Sequence, residues 1–570
     1  MTAATSTTSS ERQGSSARLW VLACIAVTLL TLWRIASTHT AFSQTNDEPA
    51  HIACGMEWLD RGAYDYETQH PPLARIAAAS LPYLSGIRST GATDMWTEGN
   101  AILHSTGDYP GVLAMARRGM LPFFVLLAAA VTAWGWMLYG PAAALAALIA
   151  LCSLPVVIGH ASLATTDVAF TATFCAALLA VWGWLQRRDW ITAAAAGIAC
   201  AISLVSKFSF AVFFPPCALV LLALDLAERR RAAEYAGEHR AGQPPRAPWR
   251  TLLIQGVFAL MLAATVVFAA YRFALEPLRY PGYPPTRLDL LVGAEGPAHD
   301  ALYAFLEKPY FPFTGVLQGF QGVYDHVEAG HRTVFLGAVH RYGVWYYYPV
   351  MLAAKTPLPF FALAAIGAFF LLRGPRRSLH ALGPLLCAAV FLLCALPSSI
   401  NIGVRHVLPF YPLLALAAGF GAAEMFRRGK VWQVAAAALL GLSFLNGAAA
   451  HPHYISYNNV FAEGHAQRLG SDSDLDWGQY VYELKAELEE LSPERASVAL
   501  FGSTDLSRLG LPEFDSLPPH HRVTGWVAIS PELLYDDRTE NPPYDGYAWL
   551  REYEPVSYAG RIPIYNVPPE

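Results

Sequence analysis

Residues 121–159 read LPFFVLLAAAVTAWGWMLYGPAAALAALIALCSLPVVIG, without one Asp, Glu, Lys, Arg or His. A helix takes about 20 apolar residues to cross the hydrocarbon core of a bilayer, and Pro141 divides this run into two such lengths. Inside hydrocarbon every backbone N–H and C=O must be paired within its own segment or a closed barrel. A run of this length therefore reads as membrane-spanning helix.

The same pattern recurs along the chain. Spans are predicted at 19–38, 112–138, 141–160, 167–185, 190–206, 208–225, 251–272, 346–372, 379–397, 405–425 and 431–449, about eleven in all. The whole composition agrees. Of the 570 residues 54% are hydrophobic and 15% charged, with mean hydropathy +0.32, whereas soluble domains carry about 25% charged residues. The fold class is a mainly α polytopic membrane protein. A net charge of -5 gives no sign of nucleic-acid binding. The eight cysteines lie almost all in apolar runs, with no zinc-ligand spacing and no disulfide framework; they read as small core residues.

The first apolar run ends LTLWRIAST (30–38) without a small-residue cleavage site and reads as a retained span. Residues 1–18, rich in Ser, Thr and Ala, are expected to form a disordered cytoplasmic tail. Orientation follows from short basic loops, which face the cytoplasm. QRRD (186–189), ERRR (228–231) with Arg240, Arg246 and Arg250, RGPRR (373–377) and RRGK (427–430) share one side in the eleven-span arrangement. Arg117 and Arg118 lie on the other side, where an anionic group is expected near them. The outer side then holds 39–111, the 159–167 turn, 273–345 and everything from 451 to 570. The last segment shows helix-like 477–490 and strand-like SVALFG (497–502), HRVTGWVAIS (521–530) and RIPIYNV (561–567), the pattern of a small extracytoplasmic α/β domain. Residues 19–450 form the membrane domain.

A transporter commonly places acids near the bilayer midplane, at broken helices within inverted repeats. Mid-span positions here are almost free of charge, and no repeat is visible. The ionisable residues crowd the predicted outer rim instead: Asp47, Glu48, His51, His70, His160, Asp167, Lys207, Arg405 and His406. NDEPAH (46–51) starts an interfacial helix, 48–60. Thr45 or Asp47 caps it, Pro49 sits in its first turn and Glu48 favours its dipole. An acid held at the rim can also act as a general base. HPPLAR (70–75) leads into a second interfacial helix, 73–84, with His70 facing the same cavity. Asp167 lies one residue into an apolar run, where Thr165, Thr166 or Asp167 itself is the expected cap. Lys207 sits in a turn between two apolar helices, where a lysine snorkels to water or meets a lipid phosphate. Lys355 lies within or at a break of its span, where a phosphate or carboxylate partner is expected. Arg405 carries the planar fork that grips phosphate at two points, with His406 beside it. GSDSDLDWGQYVYE (470–483) has the acid spacing of a calcium loop, but Trp477 stands where that loop needs Gly. Asp476 capping a helix from Trp477 is the preferred reading.

Taken in order, NDEPAHIACGMEWL (46–59), HPPLARI (70–76), TTDVAF (165–170), SKFSF (206–210), VWYYYPVMLAAKTPLPF (344–360), NIGVRHVLPFYP (401–412), HYISYNNVFAEG (453–464) and DSDLDWGQ (472–479) resemble a bacterial branch of the GT-C membrane glycosyltransferases. Relatives include protein O-mannosyltransferases and the lipid A aminoarabinose transferase. The resemblance runs from about 19 to 490. One departure is DSDLDWGQ, where relatives commonly carry an Asn between the acids. The resemblance implies a polyprenyl-phosphate-linked sugar donor and a lipid, glycan or protein acceptor. It implies transfer on the outer face of the bacterial cytoplasmic membrane. Asp47 or Glu48 matches the catalytic base and Asp167 a second acid. Lys207, Arg405, His406, Arg117 and Lys355 match donor phosphate binding, and His51 and His70 substrate binding. If a divalent metal takes part, Asp47, Asp167 and His160 are its candidate ligands; no other cofactor is implied. The rival classes are a transporter of lipid-linked or small substrates and an inactive envelope-assembly protein of the same fold.

Overall fold

Each of the eleven apolar stretches is a helix or a bent helix pair in the computed structural model, which describes residues 5–237, 249–278, 296–308, 311–374, 378–470, 472–540 and 542–569. Six helical stretches are long and apolar enough to cross a membrane: Ala17–Ala36, Tyr109–Tyr139, Thr166–Arg187, Phe210–Glu234, Arg250–Ala270 and Lys430–Ala449; the second is made of Tyr109–Arg118 and Leu121–Tyr139, joined by a short turn. Two more reach that length only as pairs, Pro141–Leu151 with Pro155–Ala161 and Tyr347–Lys355 with Leu358–Arg373, bent by 72° and 114°. Trp190–Leu204, Leu379–Ala395 and Phe410–Phe426 are shorter than a straight crossing takes. The protein is thus multi-pass. Length alone allows six to eight crossings among the described residues, against the eleven predicted.

Both bends fall at prolines. Leu154, ahead of Pro155, has ψ 113, and Thr356, ahead of Pro357, has ψ 133. The proline ring crowds the preceding residue out of the helical region, and the chain turns there. The second bend puts Lys355 at the end of a helix instead of in the middle of a span.

The short helix Phe410–Phe426 is buried along almost its whole length. It makes close approaches on two sides. A Cβ on Gly367 would stand 1.9 Å from the Ala417 carbonyl oxygen, and one on Gly419 would stand 2.4 Å from that of Ala143. Small residues at such crossings let helices pack without side-chain spacers, the usual means of association where lipid removes the hydrophobic drive. Arg405 is carried on the turn Val404–Val407 immediately before this fixed helix.

The first loop contains the two predicted helices, Glu48–Met56 and Pro72–Leu84, and leads into two further ones. Met95–His104 is capped by the Asp94 side chain, and Tyr109–Arg118 by that of Asp108. Glu48 and Arg117 lock this loop. Both are buried, at 0% and 1% exposure, and they pair bidentately: Nε donates to Oε1 at 2.8 Å and Nη2 to Oε2 at 2.7 Å. The carboxylate also accepts the Thr45 N–H at 2.8 Å and the Ala164 N–H at 2.9 Å. The remaining guanidinium N–H groups go to the carbonyls of His39, Phe42 and Ser43. All five N–H bonds of Arg117 are used, which is what a buried charge pair requires to offset its desolvation.

Two expectations change. The first helix begins at Thr5, inside the segment expected to be disordered, because extending an existing helix adds one hydrogen bond per residue without a new nucleus. The helix expected from Trp477 begins at Val481 and runs to Leu491. Of the basic positions used for orientation, Arg240, Arg246 and 375–377 lie outside the described residues.

The C-terminal sheet is mixed. Ala496–Ala499 lies between Phe514–Ser516 and Gly525–Ile529, parallel to both. Gly525–Ile529 then pairs antiparallel with Ile562–Val567, which forms a hairpin with Ser557–Ala559. Leu484 and Leu488 of the helix Val481–Leu491 join Val498, Ala528 and Ile564 in one apolar cluster. Three strands and the helix fall near their predicted places; Phe514–Ser516 and Ser557–Ala559 were not predicted, being three residues each with little alternation.

Replacing Glu48 with Gln leaves Arg117 buried and uncompensated. The loss of stability is expected to be about 3–5 kcal/mol, read as a lowered thermal unfolding temperature of the detergent-solubilised protein.

Candidate functional site

Asp47 directly precedes the locked Glu48, yet its own carboxylate is turned elsewhere. It makes no cap bond to the helix it precedes. Its Oδ2 instead accepts from Arg405 Nη1 at 2.7 Å, and its Oδ1 from the Asn46 amide at 3.0 Å. The capping reading is therefore corrected: helix Glu48–Met56 is entered through Glu48 and Pro49, and Asp47 is free for another partner. Asp47 is 24% exposed and Arg405 10%.

Arg405 is fixed from beneath. Its guanidinium carbon sits 4.1 Å over the Trp477 ring, a cation–π contact, and its Nε donates to the Ile402 carbonyl at 3.2 Å. Trp477 is tied to Asp47 as well, since its carbonyl accepts the Asn46 N–H at 2.8 Å. The turn before Arg405 is clamped by the segment before Trp477. The Asp474 carboxylate accepts the Val404 N–H at 3.1 Å, and the Ser473 hydroxyl donates to the Ile402 carbonyl at 2.7 Å. Gly403 has φ +90, and a Cβ there would stand 2.4 Å from Ser473 Oγ. Only glycine fits both the backbone angle and the space.

The second acid–base pair lies nearby. Asp167 Oδ1 accepts from Lys207 Nζ at 2.7 Å, with Asp167 1% and Lys207 11% exposed. Thr165 holds the N-cap position of helix Thr166–Arg187 without a side-chain bond to it, and its hydroxyl is 3.4 Å from Asp167 Oδ2. Arg405 acts electrostatically on both Asp47 and Asp167. The two pairs thus form one cluster of two acids and two cations drawn from four separate stretches of chain. His406 faces it: burial, then the charges of Lys207 and Arg405, hold that imidazole well below its usual pKa, so it stays neutral. Burial pushes the Asp47 carboxyl up, but Arg405, assisted by His51, more than reverses this and leaves it below the ordinary carboxylate range.

The other sequence-predicted residues fall beside the cluster or are tied into the frame. His51 is buried; its Nδ1 accepts from Arg75 Nε at 3.1 Å. Arg75 also donates to Tyr64 and to Glu67, whose carboxylate meets His70 Nδ1 at 3.0 Å. His51 and His70 are therefore joined through Arg75 and Glu67. Burial, followed by the Arg75 charge, keeps His51 well below its usual pKa. Glu48 and Arg117 saturate each other, so Arg117 has no N–H left for a phosphate and Glu48 no free route to a proton. The Lys355 ammonium donates to the carbonyls of Ile455, Tyr457 and Asp474, three acceptors for three protons, and the expected carboxylate is that of Asp474, which acts on it through space without a direct bond. It pins the segment carrying Asp474 and Trp477 to the helix bend. A metal does not fit the proposed donor set. Asp47 and Asp167 each carry a cation at 2.7 Å, His160 stacks edge-on to Trp477 at 6.2 Å, and no group of three or more metal-ligating side chains converges among the described residues.

No protein-family model matches the chain, and no curated protein does. Solved structures are similar in outline. ArnT from Cupriavidus metallidurans, bound to undecaprenyl phosphate, aligns with TM-score 0.47 and 14% identity over 96% of this chain and 97% of its own. The archaeal oligosaccharyltransferase AglB from Archaeoglobus fulgidus, in complex with an inhibitory peptide and a dolichol-phosphate, aligns with TM-score 0.42 and 12% identity over 95% of this chain and 74% of its own. The arabinofuranosyltransferase AftD from Mycobacteria aligns with TM-score 0.37 and 13% identity over 97% of this chain and 40% of its own. At these scores the likenesses do not decide this chain's activity.

Trp477, Asp474 and Arg75 were missed as functional residues. Their signal was present: DSDLDWGQ and HPPLAR are two of the motifs that carry the family resemblance, but calcium spacing and a proline turn drew the reading away from them. Asp476 is buried behind Trp477, its oxygens accepting the Gly478 N–H at 3.0 Å and the Ser530 hydroxyl at 2.6 Å. Burial raises its pKa from 3.8 to about 6. The unfolded chain gives up this proton first, so its contribution to stability is full at low pH and falls as pH rises from about 4 to about 6. Asp476→Asn should remove that part of the pH dependence, as followed by thermal unfolding across pH 4–7.

Proposed function

We propose that the protein is a glycosyltransferase, moving a sugar from a polyprenyl-phosphate-linked donor to an acceptor hydroxyl at the membrane surface. The observation that carries this reading is the alternation Asp47, Arg405, Asp167, Lys207. It brings two carboxylates and two spare-handed cations to one place, all of them joined to the motifs that resemble the GT-C enzymes. Such a set supplies what transfer from a phosphate-linked sugar needs: a base for the acceptor and donors for the charge that develops on the leaving group.

In this reading Asp47 is the base, because Glu48 is wholly committed to Arg117 while Asp47 is partly open to solvent. Asp47 takes the proton of the acceptor hydroxyl. The acceptor oxygen forms a bond to the anomeric carbon as the bond from that carbon to the phosphate oxygen breaks, with inversion. The electron pair leaves with the polyprenyl phosphate, whose charge Arg405 and Lys207 receive. Asp167 orients Lys207, and neutral His406 and His51 line the approach. Loop 39–111 and residues 451–570 face the extracytoplasmic side, with the N-terminus in the cytoplasm of a bacterial cell and the protein in its cytoplasmic membrane. The acceptor is a lipid, glycan or protein bearing a hydroxyl.

The test is complementation of a deletion strain, with its lipids and surface glycans compared by mass spectrometry. Wild type should restore a glycosylated species that Asp47→Asn does not, a base substitution costing about 10²–10⁴ in rate. Arg405→Gln should cost about 10²–10³. Equal restoration by Asp47→Asn would remove Asp47 as the base.

A further inference from the structure

The base proposed above is held by a cation. Asp47 is ion-paired to Arg405, which lowers its readiness to take a proton, so the arrangement seen here is a resting one. The two pairs of the cluster are not equally firm. Asp167 is 1% exposed, and taking Lys207 from it would leave a buried carboxylate uncompensated, at high cost. Asp47 is 24% exposed and is held by a single Arg405 nitrogen, so water can take over its side of the pair, while Arg405, 10% exposed, needs another anion in its place. Arg405 in turn uses only two of its five N–H groups, one on Ile402 and one on Asp47. Lys207 uses one of its three, on Asp167. Five donors therefore stand ready beside the pairs, on two side chains that both act on Asp167. The Trp477 ring keeps the Arg405 plane in place, so the guanidinium need not move when its partner changes.

Resting on the reading of the site as a phosphate-linked sugar transferase, we propose that the donor phosphate and Asp47 compete for Arg405, so that arrival of the phosphate releases Asp47 to act as base. The exchange replaces one carboxylate by one phosphate on a fixed guanidinium. Asp167 and Lys207 stay paired and hold the second side of the phosphate. The device keeps the base masked while no donor is bound. It also orders the reaction: donor phosphate first, proton abstraction second.

The test is affinity, which makes a prediction opposite to that for transfer. Undecaprenyl phosphate is titrated into the detergent-solubilised full-length protein by calorimetry, for wild type, Asp47→Asn and Asp47→Glu. Undecaprenol, the same chain without phosphate, serves as control. Asp47→Asn removes the competitor and should bind undecaprenyl phosphate about tenfold tighter than wild type, although it transfers no sugar. Asp47→Glu keeps the charge and should bind as wild type does. Unfolding temperatures of the three proteins, expected to agree closely because Asp47 is partly exposed, establish that each is folded. Equal or weaker binding by Asp47→Asn overturns the exchange and leaves the transferase reading standing. A gain that appears with undecaprenol too overturns it as well, since the effect is then on the lipid chain. No binding of undecaprenyl phosphate to any of the three overturns the phosphate reading of the site and the exchange together.

Discussion

The buried pair of Glu48 and Arg117 is the constraint on which the site is built. One carboxylate receives N–H groups from Thr45, from Ala164 and twice from Arg117, while the guanidinium gathers the carbonyls of His39, Phe42 and Ser43. A loop, a helix and the turn ahead of Asp167 are thereby tied at one point. A charge pair this deep is tolerated only when its donors and acceptors are nearly all used, and full use leaves it no chemistry of its own. Its consequence is felt next door. Asp47 is carried by a backbone that cannot shift, so its side chain can be weakly held without being disordered.

A second frame holds the cations. Arg405 leaves the turn before a helix packed on two sides at glycine contacts, and the segment 473–477 reaches over it. Ser473 and Asp474 grip the turn's backbone, Trp477 lies under the guanidinium, and Lys355 pins the same segment to the bend at Pro357. Residues near 47, 167, 207, 405 and 477 meet although hundreds of positions separate them. The C-terminal domain takes part through Ser530, just past the strand Gly525–Ile529, which binds Asp476 behind Trp477, and through Ser503, whose hydroxyl donates to the Asn46 carbonyl at 2.7 Å. The domain after the last long helix thus supports the site as well as following it in sequence.

The ionisable residues fall into three kinds. Glu48, Arg117 and Lys355 have every donor or acceptor satisfied within the chain and belong to the frame. Asp167 is buried and paired with a cation that still has protons to spare. Asp47 and Arg405 are joined by one contact at the edge of solvent. This gradation from locked to exchangeable separates the charges of the frame from the loosely held ones more sharply than exposure or residue type does.

Much of the architecture was legible in the chain itself. Apolar length located the helices, because hydrocarbon admits no unpaired backbone, and the helices of the first loop followed from proline and acid at their starts. The gathering of Asp47, Asp167, Lys207 and Arg405 near helix ends was legible because uncharged spans leave such residues nowhere else to go. What sequence could not supply was the partner of each charge. Asp47 and Glu48 are neighbours of the same kind, and no local rule says that one is locked to Arg117 while the other reaches Arg405. Lys355 read as a phosphate ligand because its three carbonyl acceptors lie about a hundred residues away. Trp477 read as a misfit in a calcium loop because the guanidinium above it comes from a distant turn, Val404–Val407. The sequence by itself determined which segments are apolar helices and which residue types stand at their ends, since apolar length is a local property. Only the tertiary structure decided which carboxylate is free to react, since that depends on how many hydrogen-bond partners distant segments bring to it.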